Sequence, residues 1–375
     1  MNPGYTKRMV NGKQQTISFH VDDRKLSHVD PEVNRDFVET LRKEYESIFE
    51  DGSGKMKVHT GKIHEYLGMT LDYSLKGIVK ISMLKYIKEL IADFERIMPH
   101  EKGTKSCAAP PDLFTVNHEC DKLSKTKAEQ FHSLVMKVLF TTKRARPDSG
   151  TSMSFLMTRT GQPGLNDWSK LAHLMNCFRG TDDLPLVLSA DGSGILKWWI
   201  DGSYAVHWNM RGHTGGGLTM GRGYPIMHSG KQKLNTRSST ETEVVGVDDL
   251  MPAILWTRLF VEAQGFDVKE NIIMQDNQAA MLLEKNGKAS SGKRTKQLNV
   301  RFFFVTDRIS KGEISVQWCP TEDMTGDFWT KPLQGALFRR FRDLIMGVIP
   351  QPNPRSTRPP KKKPVKAKPG KKSAK

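Results

Sequence analysis

Cysteine is scarce in this chain, long apolar runs are missing, and one end has no acids at all. The four cysteines, Cys107, Cys120, Cys177 and Cys319, lie far apart with no C-x-x-C pair. That excludes a disulfide-stapled scaffold and argues against a zinc finger. It reads as the reduced thiols of an intracellular protein, in the cytoplasm or the nucleus. No stretch approaches the roughly 20 apolar residues of a membrane span. The N-terminal residues MNPGYTKRMVNGKQQ lack the apolar centre of a secretion signal. No membrane partner is expected, and no internal repeat is evident.

Acids number 41 against 58 lysines and arginines, for a net charge of +17 over 375 residues. Residues 355–375 contain ten Lys/Arg and no acid, so they carry +10 and leave +7 for the rest. The tail from Gln351 is rich in proline and lysine, cannot form a core, and is expected to be disordered. Such a tail suits non-specific contact with nucleic acid, or nuclear import. For the moderately basic body, simple solubility is an equal explanation.

The acids that do occur fall in a telling order. Leu196–Ile200 is an apolar run that ends in Asp201-Gly202, as a buried strand presenting a carboxylate at its end. Residues 234–247, LNTRSSTETEVVGV, start with helix-capping residues and pass into apolar positions 244, 247, 251, 254/255 and 259. Glu243 sits in the first turn of that helix. Ile272–Gln275 is a second short strand, ending in Asp276 before a helical run, and Asp327 lies in the loop Met324–Pro332. Each acid alone has a common structural role: a cap, a strand-end turn, or for Glu243 a capping box with Thr240. Four carboxylates gathered together would repel one another, and some would stay protonated. Two Mg²⁺ ions remove that cost, because Mg²⁺ takes hard oxygen ligands and keeps waters and phosphate oxygens around it.

The ordered set, with HTGGGLTM (213–220), KQKLNTRSSTETE (231–243), QDNQAA (275–280) and GDFWTKPLQ (326–334), resembles the ribonuclease H domain of copia-type LTR retrotransposon polyproteins. The resemblance implies catalytic and metal-binding roles for Asp201, Glu243, Asp276 and Asp327, with Glu241 the alternative to Glu243. Two Mg²⁺ ions are the implied cofactor, with Mn²⁺ able to replace them. In the family the R-T-K of residues 294–296 is followed by a histidine. This chain has Gln297, which cannot titrate.

The N-terminal part resembles the same elements. HVDD (20–23) stands where reverse transcriptases carry a Y-V-D-D-like box, and EYLGMTLDYS (65–74) with KYIKELIADF (85–94) follows it. His20 replaces the tyrosine, and the chain starts just upstream of the box. A truncated palm is therefore expected, without the third carboxylate of a polymerase.

The expected architecture is α/β: a truncated reverse-transcriptase palm and thumb region over 1–100, a helical connection over 101–190, a ribonuclease H-like domain over 191–346 and a basic tail over 347–375. The nuclease is expected to have a mixed five-stranded sheet with flanking helices. Its first strands are placed at 195–201, 203–208, 214–221 and 224–231, and Pro252 is expected to bend or restart the long helix. Lys143, Arg144 and Arg146 are candidate backbone contacts, with a solvated basic loop as the plainer alternative. The expected function is Mg²⁺-dependent cleavage of RNA in an RNA–DNA hybrid, within a retrotransposon reverse transcriptase. The alternative is an inactive nucleic-acid-binding remnant of a retroelement.

Overall fold

The computed structural model describes residues 4–48, 54–287 and 299–352. The expectations for the basic loop 289–296, for Gln297 and for the tail beyond residue 352 lie outside the described residues.

Three antiparallel strands come first: β1 (Gly4–Val10), β2 (Lys13–His20) and β3 (Asp23–Ser27). His20 pairs with Asp23, so the turn is Val21-Asp22. Helix α1 (Pro31–Tyr45) begins where the Asp30 Oδ1 accepts from the Glu32 N–H at 3.0 Å. Pro31 has no donor to satisfy there. The span 60–73, which reads as one strand, is a hairpin of β4 (Ile63–Tyr66) and β5 (Met69–Asp72). Its turn residues Leu67 and Gly68 both have positive φ, as a tight two-residue hairpin turn requires. Then come β6 (Val79–Ser82), α2 (Leu84–Ile97), α3 (Lys125–Thr142), α4 (Gly150–Met157) and α5 (Leu165–Arg179).

The remainder is β7 (Leu186–Ala190), β8 (Ile195–Ser203), β9 (His213–Thr219), β10 (Gly221–Arg222), β11 (Ile226–Lys231), α6 (Ser239–Ala263), β12 (Glu270–Gln275), α7 (Gln278–Asn286), α8 (Asn299–Ser310), β13 (Ser315–Trp318) and α9 (Gly335–Ile345). A five-stranded sheet of order β10-β7-β6-β5-β4 joins the N-terminal strands to β7 and β10, across the boundaries drawn from sequence. The second five-stranded sheet, β11-β9-β8-β12-β13, is mixed. It is antiparallel from β11 through β8 and parallel through β8, β12 and β13.

Strand β8 is buried on both faces. Leu196, Trp198 and Ile200 meet Val247, Leu250, Met251 and Ile254 of α6. Ile195 and Trp199 share a core with Phe131, Phe155 and Leu171 of α3–α5, and with Trp329 and Phe341. The helical middle of the chain is therefore the second cover of the sheet, and it stands behind the loop that carries Asp327.

Two expectations about the elements around the mixed sheet are corrected. Residues 203–208 do not form a separate strand: β8 ends at Ser203, Ala205 has φ 51°, and a turn closes from the Met210 N–H to the His207 carbonyl. Helix α6 is one element of 25 residues and runs through Pro252 without restarting. The proline is exposed, while Met251 and Ile254 on either side are buried, so packing outweighs the backbone bond the ring removes.

Arg146, a candidate phosphate contact on sequence, is fully buried. Its Nε and Nη2 donate to Asp148 at 2.8 and 2.9 Å, and its Nη1 and Nη2 donate to the carbonyl and Oγ1 of Thr181 at 2.9 and 2.8 Å. Residues 347–352, assigned to the tail on sequence, pack onto the body. The Gln351 N–H donates to the Gly221 carbonyl at 3.0 Å, and Tyr224 Oη donates to Gln351 Oε1 at 3.3 Å. Among the described residues no helix is long and apolar enough to cross a membrane.

Candidate metal centre

The parallel pairing of β8 with β12 sets Met274 opposite Trp199. Two residues further along the same register, Asp276 stands beside Asp201, so the two acids leave neighbouring strands at one end of the sheet. Glu243 arrives from above, in the second turn of α6. Strand and helix come close enough there that a Cβ on Gly202 would lie 2.7 Å from the Thr242 carbonyl oxygen. The Gly202 N–H donates to Glu243 Oε2 at 2.9 Å. One carboxylate oxygen from each of Asp201, Glu243 and Asp276 lies within 4.8 Å of the others. This is the one such group of His, Cys, Asp and Glu found among the described residues.

The ordinary duties of these acids fall to their neighbours. Ser238 caps α6, its Oγ accepting from the Glu241 N–H at 3.2 Å, and Glu241 reaches back to the Arg237 N–H at 2.7 Å. Glu241 is thus the helix-start acid, and Glu243 is free for the site. At α7 the cap is Asn277, whose Oδ1 accepts from Ala279 and Ala280 at 3.1 Å, leaving Asp276 free. Asp276 Oδ2 instead accepts from Thr321 Oγ1 at 3.1 Å.

Asp327 falls outside the three-acid group but borders it. It sits in the short helical turn Thr325–Trp329, and a Cβ on Gly326 would come within 3.0 Å of the Asp201 nitrogen. The Lys331 Nζ bonds Asp327 Oδ1 at 2.7 Å and lies 3.7 Å from Asp201 Oδ2. Thr330 Oγ1 donates to that same Asp201 oxygen. The turn is tied down from behind: Trp329 Nε1 donates to the Pro147 carbonyl at 3.0 Å and Thr151 Oγ1 to the Phe328 carbonyl at 2.5 Å. Thr330 and Lys331 were not singled out on sequence. Their signal was spacing, because in a helical turn the residues three and four places after Asp327 return to its side.

The electrostatics are those of acids short of positive charge. Burial, then Asp201 and Asp276, push the Glu243 carboxyl well above the usual range. Burial and Asp201 raise Asp276, and the same two causes push Asp327 up to about 7. Burial works against the charged form of Lys331, but Asp201 and Asp327 outweigh it and hold the ammonium above the ordinary lysine range. Three mutually repelling, largely buried carboxylates with only oxygen donors fit a hard divalent cation of the Mg²⁺, Mn²⁺ or Ca²⁺ class. Asp22 and Asp23, by contrast, are exposed at the β2–β3 hairpin and belong to no such group among the described residues. His213 lies on β9, fully buried between His207 Nε2 and Ser229 Oγ, each at 2.9 Å.

A mixed five-stranded sheet with flanking helices and acids at the ends of neighbouring strands is compatible with a ribonuclease H-like fold. The chain matches no protein-family model. Over 216 residues it is 24% identical to the Retrovirus-related Pol polyprotein from transposon TNT 1-94 of Nicotiana tabacum, a stretch that is 57% of this chain and 16% of that polyprotein. Over 240 residues it is 22% identical to a putative transposon Ty5-1 protein of Saccharomyces cerevisiae, covering 64% of this chain and 73% of that protein. Both relatives are transposon proteins, the first a Pol polyprotein, so the chain is similar to Pol polyproteins from transposons of the Ty/copia type.

Proposed function

We infer that this chain is a divalent-cation-dependent ribonuclease H, cutting the RNA strand of RNA–DNA hybrids as part of a retrotransposon reverse transcriptase. The observation that carries this reading is the convergence of Asp201, Glu243 and Asp276 at one end of the mixed sheet. Their likeness in order and setting to the acids of copia-type nucleases supplies the substrate class. Asp201, Glu243 and Asp276 would hold Mg²⁺, with Asp327 bordering the site. A bound ion of this kind activates a water and stabilises the leaving oxygen of a phosphodiester. The protein's own work is positioning. Gly202 fixes the Glu243 carboxylate, Thr330 fixes Asp201, and Thr321 fixes Asp276. The segment 4–97 is read as the end of a reverse-transcriptase palm. Polymerisation is not expected of it, because Asp22 and Asp23 stand without a third carboxylate among the described residues.

The test uses purified protein and a labelled RNA–DNA hybrid, with single-stranded RNA and duplex DNA as controls. Cutting of the hybrid alone, dependent on Mg²⁺ and stopped by chelator, is the expected result. No cutting with either Mg²⁺ or Mn²⁺, restored by Gln297→His, would favour the binding-remnant reading instead.

The basic tail is proposed as a second contact with nucleic acid. Removing residues 355–375 takes away ten positive charges and none of the packed segment that ends at 352. Binding is expected to weaken and its salt dependence to flatten, since the slope of log K against log salt scales at about 0.9 per phosphate contacted. A titration of fluorescent duplex at two salt concentrations checks this. An unchanged slope would remove the tail from the interface.

A further inference from the structure

We propose that Lys331 is a built-in counter-ion of the acidic site, reserving Asp327 for its own ammonium, so that the chain free of nucleic acid takes one divalent cation, on Asp201, Glu243 and Asp276. The proposal rests on the metal-site part of the reading above and deepens it.

Three observations lead there. First, Asp327 is excluded from the group whose oxygens lie within 4.8 Å of one another, and its Oδ1 is occupied by the Lys331 Nζ at 2.7 Å. Second, the lysine arrives by construction. The Lys331 N–H donates to the Asp327 carbonyl at 2.9 Å, closing a helical turn that sets both side chains on one side, and Pro332 ends the turn. Third, this is unlike a surface ion pair. The side chains of Asp201 and Asp327 are 3% and 8% exposed, while that of Lys331 is 41% exposed. The lysine reaches in from the rim and places its charge against two acids that water hardly reaches.

An ammonium donates but cannot accept, so it neutralises Asp327 without imposing a coordination geometry. A Mg²⁺ ligated by Asp327 would sit about 2.0–2.1 Å from a carboxylate oxygen, either Oδ1, which Lys331 already holds at 2.7 Å, or Oδ2 beside it. It would also face the lysine charge directly across that carboxylate. The three-acid group is spared this competition, since Lys331 touches only its Asp201 edge. Any second cation must therefore bring ligands with it, as phosphate oxygens of a nucleic acid.

The experiment counts Mn²⁺ on the full chain without nucleic acid, by calorimetric titration and by the electron-spin signal of the free ion. The wild-type chain is expected to bind one Mn²⁺. Asp276→Asn should weaken that binding by at least about tenfold, as loss of a ligand exceeds the loss of an outer partner. Asp327→Asn should leave it nearly unchanged. Lys331→Met, confirmed folded by its melting curve, should bind two, and the second should vanish in the double variant Lys331→Met/Asp327→Asn. Two ions on the wild-type chain, or loss of the first ion in Asp327→Asn, would overturn the proposal. The Asp327→Asn arm decides the matter even if Lys331→Met does not fold. One bound ion without hybrid cutting would sink the nuclease reading and leave this one standing. Two ions with cutting would do the reverse.

Discussion

Asp276→Asn is expected to lower hybrid cleavage by more than about 100-fold, because outer partners of metal ligands are already worth 10–100-fold. Asparagine keeps the shape of the side chain, and its carbonyl oxygen can still accept from Thr321 Oγ1. What it removes is the charge that holds a hard cation. It also removes one of the acids that push Glu243 upward, so melting in the absence of metal is not expected to fall. Hybrid binding should be retained, since phosphate contacts by basic residues do not pass through this carboxylate. Asp22→Asn with Asp23→Asn is the matched control. Both residues are exposed on the β2–β3 hairpin, and cutting should not change. A gel assay of product against time, with affinity read separately by anisotropy, checks all three statements. Full cleavage by Asp276→Asn would show that Asp276 is not a metal ligand.

Glu284→Met is expected to stabilise the chain strongly at high pH and much less at low pH. Glu284 lies in α7 with no exposed surface, and neither carboxylate oxygen has a hydrogen-bond partner. Burial pushes its carboxyl from 4.5 up to about 8, opposed only by Lys285. Below pH 4.5 the group is neutral in both folded and unfolded chains, so its titration adds nothing to their balance and only the cost of burying an unpartnered neutral carboxyl remains. As the pH rises from 4.5 to 8, the unfolded chain releases the proton while the folded chain keeps it, so stability is lost across that window. Above about pH 8 the loss is complete, on the order of 5 kcal/mol for a gap of about 3.5 pH units. Methionine fills a similar volume, has no charge to desolvate, and removes the slope. Urea unfolding of both proteins at pH 5 and pH 8.5 measures it. A stability difference that does not change with pH would mean that Glu284 finds a partner or water that the fold does not reveal.

The elements of this protein that are written in neighbouring residues were legible without coordinates. The apolar spacing that starts at Val244 marks α6, and the run Leu196–Ile200 marks β8. Asp30-Pro31 marks the start of α1, because a cap and a prolyl residue act within a single turn. The acids Asp201, Glu243 and Asp276 could be named for the same reason: each sits beside a local strand or helix terminus. Tertiary structure alone decided how they are used. The β8–β12 register set Asp276 beside Asp201, and the close approach of α6 to β8 at Gly202 brought Glu243 to them. Residue type read Arg146 as a surface cation, but its burial depends on Asp148 and on Thr181, 35 residues away. The pairing of β7 with β6 joins segments about a hundred residues apart. The place of Lys331 required the turn at 325–329 to be pressed against β8 by Trp329 and Thr151, contacts that reach back nearly two hundred residues. Local propensity carries no information about such contacts. They follow from how the layers pack, and packing is a property of the whole chain.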